Sequence, residues 1–257
     1  MIHATAIVAP EAELDSSVDV GPYAVIGEHV KIGAGTTVGP HAVIEGRTEI
    51  GCDNRIFQFA SVGAIPQDLK FAGEVSYLKI GDRNTIREFV TVHLGTKDGG
   101  GITTVGNDNL LMAYTHVAHD CVVKNHVVLA NAATLAGHVE VDDYVILGGL
   151  SAVHQFARIG CHVMASGGAM IAQDVAPYSI VQGDRAKTVG LNLIGLKRRG
   201  FSQEALGNIK NMYKLVFRSN LKLEEAIGQI EEQFDCSADE VATYLNFLKN
   251  SERGLVR

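Results

Sequence analysis

Isoleucine, leucine or valine returns at every sixth residue along most of this chain, an interval that neither a helix nor an uninterrupted strand accommodates. The series runs Ile2, Val8, Leu14, Val20 and onward to Val62, and resumes at Ile80, Ile86 and Val92. It then continues from Val105 to Ile171, with Ala165 as its one departure. Helix faces repeat about every 3.6 residues and strand faces every two. A period of six instead fits short strands broken by turns, each segment pointing one large apolar side chain inward. A small or β-branched residue stands four places after many beats, as at Ala24, Thr36, Ala42, Ala60, Ala133 and Val139, and supplies a smaller inward partner. Glycine often follows the beat directly, as at Gly21, Gly33, Gly39 and Gly160, and is expected to serve turns that need backbone angles closed to other residues.

Such a repeat predicts a mainly β chain wound as a parallel β-helix, with three six-residue sides per coil and about 4.8 Å between coils. A single coil cannot bury its beats, whereas a column of coils makes a continuous core. The usual crossover rule favours a right-handed coil, and the spacing alone does not override it. The rhythm breaks twice. Residues 64–79 (AIPQDLKFAGEVSYLK) keep the phase, and residues 95–104 (GTKDGGGITT) shift it by one. Loops extruded from a rigid scaffold commonly carry function. After about Val189 the beat ends, which divides the chain into a solenoid over 1–189 and a C-terminal α-helical domain over 190–257. Ser202 is expected to cap a helix burying Leu206, Ile209, Met212, Tyr213 and Val216, with Asn220 as its stop. Ala226, Ile227 and Ile230 mark a second helix, and Ser237 to Glu240 read as a capping box opening a third. These helices would cover the open end of the solenoid.

Composition narrows the class. No apolar run is long enough to span a bilayer, and the repeat starts at Ile2, which leaves no room for a signal peptide. Cys52, Cys121, Cys161 and Cys236 show neither CxxC spacing nor the density of a disulfide framework, in keeping with a reducing cytoplasm. The net charge of −7 hides a basic block: between Arg185 and Lys222, nine Lys or Arg residues accompany one acid, Glu204. Such a block is either a solvated helix face or a docking surface for an acidic partner or a phosphorylated ligand. Nucleic acid is disfavoured, because the block lacks the aromatic interleaving that stacks bases.

Six of the ten histidines fall between His116 and His162. Stacked coils place His119, Gly137 and Gln155 in one column, with His138 and His154 beside it and His116 one turn before. Three chemistries suit this column. His119 beside Asp120 suits a general base, and Gly137 leaves its N–H approachable as an oxyanion donor. Three of the histidines instead suit zinc, as in the γ-class carbonic anhydrases, which share a six-residue solenoid. The third reading is a structural imidazole ladder.

The stretches QDLKFAGE (67–74), HLGT (93–96), GGGITTVGNDNLLM (99–112), HVAHDC (116–121), NAATLAGHV (131–139), AVHQF (152–156) and GLKRRGFS (195–202) are specific in combination. Together they resemble the UDP-N-acetylglucosamine O-acyltransferase family over essentially the whole chain. The resemblance implies a left-handed β-helix, a homotrimer with sites between subunits, and a cytoplasmic enzyme without metal or cofactor. It implies transfer of a 3-hydroxyacyl chain from acyl carrier protein to the glucosamine 3-hydroxyl of UDP-N-acetylglucosamine, the first step of lipid A biosynthesis. His119 would be the base, Asp120 its orienting partner and Gly137 the oxyanion donor. Gln67, Asp68, Lys70, His116 and His138 would contact the amino sugar. His154, Gln155, Asn192, Arg198 and Arg199 would hold the nucleotide and its phosphates, and Gly167 would line the acyl pocket. The basic block would meet the acidic carrier protein.

Two departures stand out. Ile194 replaces a glutamate common in the family, which affects one ribose or base contact, and Arg185 stands where some relatives carry histidine. The nearest rival, the N-acyltransferase of the same pathway, carries an N-terminal domain before its repeat. A zinc carbonic anhydrase and a purely structural trimer are the rivals from other classes.

Overall fold

The computed structural model describes residues 1–257 and turns the six-residue rhythm into a coil. Strands of mostly two residues, beginning with Ile7–Val8, alternate with turns and stack into sheets of nine, eight and ten strands, parallel but for the last pair of the ten-stranded sheet. Ile7 pairs with Val25 and Val25 with Val43, so each side returns after 18 residues. Val62 pairs with Val92 and Val92 with Val117, steps of 30 and 25 residues that mark the two inserted loops. Both loops are shorter than the sequence suggests, because the strands Ser61–Ala64, Tyr77–Ile80 and Ile102–Val105 extend into them. The beats point inward: Ile44, Ile86, Leu111, Leu129, Leu135 and Leu147 are fully buried, as are Ala24, Ala42, Ala133 and Val139. One cluster of 43 buried residues fills the bore. Each buried aliphatic side chain contributes roughly 1.5–3 kcal/mol before ordering entropy is counted.

The coil is left-handed, as the family resemblance implies and the crossover rule does not. That rule arises where twisted strands feed a crossover helix. Here two-residue strands feed a turn, so neither cause acts. Most turns hold the third residue after the beat in the left-handed region, and the occupants are mostly not glycine. Tyr23, His41, Phe59, Phe89 and Tyr114 occupy one edge, and His126, Tyr144, His162 and Tyr178 a second. Asp120, His138 and Phe156 occupy the third. Their φ angles lie between 55° and 69°. Rings stacked corner on corner, at 4.9–5.3 Å from Tyr23 to Tyr114, help to offset that strain. The glycines after the beats therefore serve a different purpose from the one expected. Gly39 has no left-handed φ, but a Cβ on it would lie 2.7 Å from the backbone N of Gln58, so its role is close approach of one coil to the next.

A buried asparagine ladder, which the hydrophobic rhythm does not reveal, also links the coils. Asn54 Oδ1 accepts from Asn84 N–H at 2.9 Å, Asn84 Oδ1 from Asn109 N–H at 2.9 Å, and Asn109 Oδ1 from Val127 N–H at 2.7 Å.

The strand Lys187–Leu191 pairs antiparallel with Ser179–Gln182 and runs through the anticipated 189/190 division. Four helices follow, α1 (Leu193–Arg198), α2 (Gln203–Phe217), α3 (Leu223–Gln233) and α4 (Asp239–Lys249). Helix α2 is as expected: Ser202 Oγ accepts Ala205 N–H at 3.0 Å, and Leu206, Ile209, Met212, Tyr213 and Val216 are buried. The capping box before α4 does not form. Ser237 turns back to Asp235, donating both its N–H and its hydroxyl, and Glu240 accepts from Asn208 of α2 instead. Buried side chains of the helices join Ala176 and Tyr178 in one cluster, so the helical domain closes the end of the bore. The chain end returns as well, with Val256 N–H donating to Asp174 O at 2.9 Å.

Candidate active site

The third edge of the solenoid gathers the chemistry. Its turns bring His119, Gly137 and Gln155 into register: His138 N–H donates to His119 O at 3.0 Å, and Phe156 N–H to Gly137 O at 3.2 Å. His119 Nδ1 lies 2.8 Å from Asp120 Oδ2. An ionised carboxylate only accepts, so this contact places the proton on Nδ1 and leaves the Nε2 lone pair free. The His119 side chain is 14% exposed and that of Asp120 only 1%, so the acid is sealed while the imidazole reaches an opening. His138 packs edge-on to His119 at 5.0 Å and stacks on Phe156 at 4.4 Å. An open cleft of about 620 Å³ adjoins these groups, lined by Gly99, Asp120, His138, Phe156, Arg158 and Asn250.

Both inserted loops fold over this edge. Thr96, in the second, donates its N–H to Asp120 Oδ1 at 2.8 Å and its hydroxyl to Oδ2 at 2.6 Å. Thr103 Oγ1 accepts the Asp120 N–H at 2.8 Å. Gly99 comes so close that a Cβ there would lie 2.0 Å from Asp120 Cγ. The first loop ties to the second through Glu74, which accepts the Lys97 N–H at 3.2 Å. Asp68 holds a turn by accepting the Lys70 N–H at 3.0 Å, and its charge reaches His138. Gln67 and Lys70 are exposed on the same loop.

The neighbouring imidazoles are kept neutral. Burial pushes His93 down to about 4, aided by the charges of His116 and His119. His116 is lowered by burial and then by His119, and its Nδ1 lies 2.7 Å from Thr91 Oγ1. His138 is lowered first by burial, with Asp120 and Asp68 opposing. Thr96, Gly99 and His93 all took part in the resembling stretches, yet nothing in their spacing marked them as neighbours of Asp120 and His116. Only the inserted loop and the coil register bring them there.

Gly137 is buried against the ring of His119. A Cβ there would meet Cε1 at 2.4 Å and Nε2 at 2.6 Å. Its N–H donates to no group in the chain, which is the condition an oxyanion donor must meet.

The remaining sequence-named residues are divided between this edge and other parts of the chain. His154 and Gln155 are exposed on the same edge, with His154 Nδ1 3.1 Å from Gln155 O. Gly167 is exposed next to Gly168, at the edge of Tyr23 and Phe59. Asn192 is 9% exposed and fully engaged: Oδ1 caps α1 by accepting the Gly195 N–H, and Nδ2 donates to His162 O. Arg198 and Arg199 are exposed at the end of α1, and the Arg199 guanidinium sits 4.2 Å over the ring of Tyr144, at the second edge. Within one chain, then, the His119 edge, Gly167 and the arginines face different ways.

The one group that approaches metal-ligand spacing is His119, Asp120 and His138, whose ligand atoms lie within 4.8 Å of one another. Asp120 already accepts from Thr96 twice and from His119, so a metal would have to displace the bonds that hold the pair. That donor set fits a hydrogen-bonded acid–base pair rather than a metal centre.

A six-residue left-handed solenoid with an imidazole, a buried acid and a free backbone N–H at one edge defines a hexapeptide-repeat acyltransferase. Two family signatures match, "Bacterial transferase hexapeptide (six repeats)" over residues 16–46 and "Udp N-acetylglucosamine O-acyltransferase; Domain 2" over residues 174–256. The acyl-[acyl-carrier-protein]–UDP-N-acetylglucosamine O-acyltransferase of Herminiimonas arsenicoxydans is 57% identical over 100% of this chain and 99% of its own length. Among solved structures, LpxA from Acinetobacter baumannii aligns at a TM-score of 0.97 with 44% identity, over 100% of this chain and 99% of that one. The UDP-N-acetylglucosamine O-acyltransferase of Moraxella catarrhalis gives 0.96 and 45%, with the same coverage. The chain belongs to the acyl-[acyl-carrier-protein]–UDP-N-acetylglucosamine O-acyltransferase family.

Proposed function

We propose that this chain transfers a 3-hydroxyacyl group from acyl carrier protein to the glucosamine 3-hydroxyl of UDP-N-acetylglucosamine, the first step of lipid A biosynthesis. His119 Nε2 takes the hydroxyl proton as the oxygen attacks the thioester carbonyl. The Gly137 N–H meets the oxyanion of the tetrahedral intermediate. Collapse expels the carrier thiolate, which takes the proton back from the imidazolium. Asp120 holds the imidazole and stabilises its charged form. General-base help of this kind is typically worth ~10²–10⁴-fold, and one oxyanion donor about 10²–10³-fold. The observation that carries the reading is the 2.8 Å contact between His119 and Asp120 with Gly137 packed on the same ring.

Asp68 and Lys70, with Gln67, His116 and His138, are assigned to the amino sugar, a reading supported by the reach of the Asp68 charge to His138 and of His119 to His116. His154, Gln155, Arg198 and Arg199 are assigned to the nucleotide and phosphates, for which an arginine fork suits paired charge-assisted bonds. Asn192 is assigned a supporting role there, because its side chain already caps α1. Gly167 is assigned to the acyl pocket. These groups sit on three edges, which supports a homotrimer that joins edges of neighbouring subunits into each site. No helix is long and apolar enough to cross a membrane, and we assign the enzyme to the cytoplasm, where carrier protein and nucleotide sugar meet. Incubation of the purified chain with UDP-N-acetylglucosamine and a panel of 3-hydroxyacyl carrier proteins should yield the 3-O-acyl product. Product absent with every donor, or formed equally without carrier protein, would overturn the reading.

A further inference from the structure

The acid behind His119 is held by a loop rather than by the coil. We propose that Thr96, seated by Gly99, is a positioning residue that fixes the Asp120 carboxylate and through it the orientation of His119. Four observations converge on this. Thr96 gives the carboxylate two donors, one to each oxygen, at 2.8 and 2.6 Å. The same Oδ2 that accepts the Thr96 hydroxyl receives His119 Nδ1. Thr96 is 4% exposed, so no water competes for the bond. Gly99 lies against the carboxylate, closing the side from which it would otherwise rotate. A buried carboxylate with a single partner is free to swing between its oxygens; with both oxygens tied to one residue it presents Oδ2 to the imidazole in one geometry. Thr96 touches neither substrate in this account. It acts through Asp120.

The inference rests on His119 being the base, and the test separates the two. Thr96→Val, Thr96→Ser, Gly99→Ala and His119→Ala are compared for kcat, for KM of both substrates, for melting temperature and for the pH profile of kcat/KM. The groups facing His119 that titrate or carry charge are Asp120, His93, His116 and His138, with Asp68 reaching His138 from the first loop. Thr96→Val is expected to lower kcat about tenfold, the worth of one hydrogen bond to a charged group, with both KM values held within about twofold. Its acid limb moves to higher pH, because a carboxylate that has lost a donor attracts the imidazolium more strongly. Thr96→Ser restores both. Gly99→Ala keeps every donor but pushes the loop off the carboxylate, and is expected to lower kcat in the same way. Wild-type kcat with an unmoved acid limb in a folded Thr96→Val overturns the inference, as does a loss that Thr96→Ser fails to restore. Should Thr96→Val not fold, normal turnover in Gly99→Ala overturns it instead. An active His119→Ala would sink the base assignment itself, whatever Thr96 does.

Discussion

Gly137→Ala is the sharpest single-atom challenge to the proposed chemistry. The residue has no left-handed φ, so alanine suits its backbone, and the whole perturbation is the added methyl. That methyl would lie 2.4 Å from His119 Cε1, 2.6 Å from Nε2 and 3.1 Å from Nδ1. Relaxed carbon contacts fall at about 3.5–4.0 Å, so the ring must retreat by about 1 Å. A shift of that size breaks the 2.8 Å contact with Asp120 and misplaces the base, which costs on the order of 10²-fold in rate. We therefore expect kcat to fall at least ~10²-fold, with KM for UDP-N-acetylglucosamine little changed and the elution volume on gel filtration unaltered. His119→Ala alone should cost ~10²–10⁴-fold. The double variant is the decisive assay, because removing the ring removes the clash. If the methyl acts through His119, the double variant is no slower than His119→Ala, a strongly non-additive cycle. Near-normal turnover in Gly137→Ala, or two losses that simply multiply, would refute the steric argument.

Three further outcomes follow from other parts of the molecule. Arg198 is exposed, and Arg198→Ala should raise KM for the nucleotide sugar, or for the carrier protein if it serves that partner, with the loss partly mimicked by salt; unchanged KM for both at low ionic strength would reduce the block to a solvated face. His93 has a folded pKa of about 4 against 6.5 for the free side chain, so the unfolded chain binds the extra proton and stability falls as pH drops from about 6.5 towards 4, by up to about 3 kcal/mol. His93→Leu should flatten that part of the urea-midpoint profile without abolishing it, because His162 is lowered over the same window; an unchanged slope would remove His93 from the acid response. At Gly167 a Cβ meets only Gly149 O, at 3.3 Å, so Gly167→Met should fold normally and shift donor preference toward shorter acyl chains, overpacking an occupied pocket by about 1–3 kcal/mol. Equal loss for short and long donors, or none for either, would place Gly167 outside the pocket.

The bore of the solenoid was legible because burial and spacing say the same thing: every sixth residue is large and apolar, and those residues are the core. Helix α2 was legible for a similar reason, with Ser202 as its cap and one buried face. Handedness was not, since the beat is identical in either hand and only the resemblance to a family broke the tie. The glycines after the beats were read as turn residues, whereas the left-handed positions belong to Tyr, His, Phe and Asp two places further on. A stacked ring tolerates that conformation because its neighbour one coil away adopts it too, and no single-coil reading reveals the partner. Ser237 looked like a cap until Asp235, two residues earlier, took its hydroxyl. In the site, the column of His119, Gly137 and Gln155 followed from coil length alone. Thr96 and Gly99 did not, because the distance between their loop and Asp120 is set by how an irregular segment folds back, which periodicity does not encode.

The three edges of the coil also explain why the second insertion lies where it does. Along part of two edges the left-handed corners present rings that cover the ring of the neighbouring coil, from Tyr23 to Tyr114 and from His126 to Tyr178. At the third edge the stack runs from Phe156 to His138 and stops, because the next corner residue is Asp120. A carboxylate cannot continue a stack of rings. Buried to 1% exposure, it needs donors instead, since an unpaired buried charge costs several kcal/mol. Besides His119, the carboxylate takes its donors from outside the repeat. Residues 95–101 supply them through Thr96, and Gly99 lets the loop lie flat on the acid. The break in the rhythm and the acid in the corner are thus one feature: the insertion covers Asp120, and Asp120 in turn leaves His119 at the opening with its Nε2 unpaired.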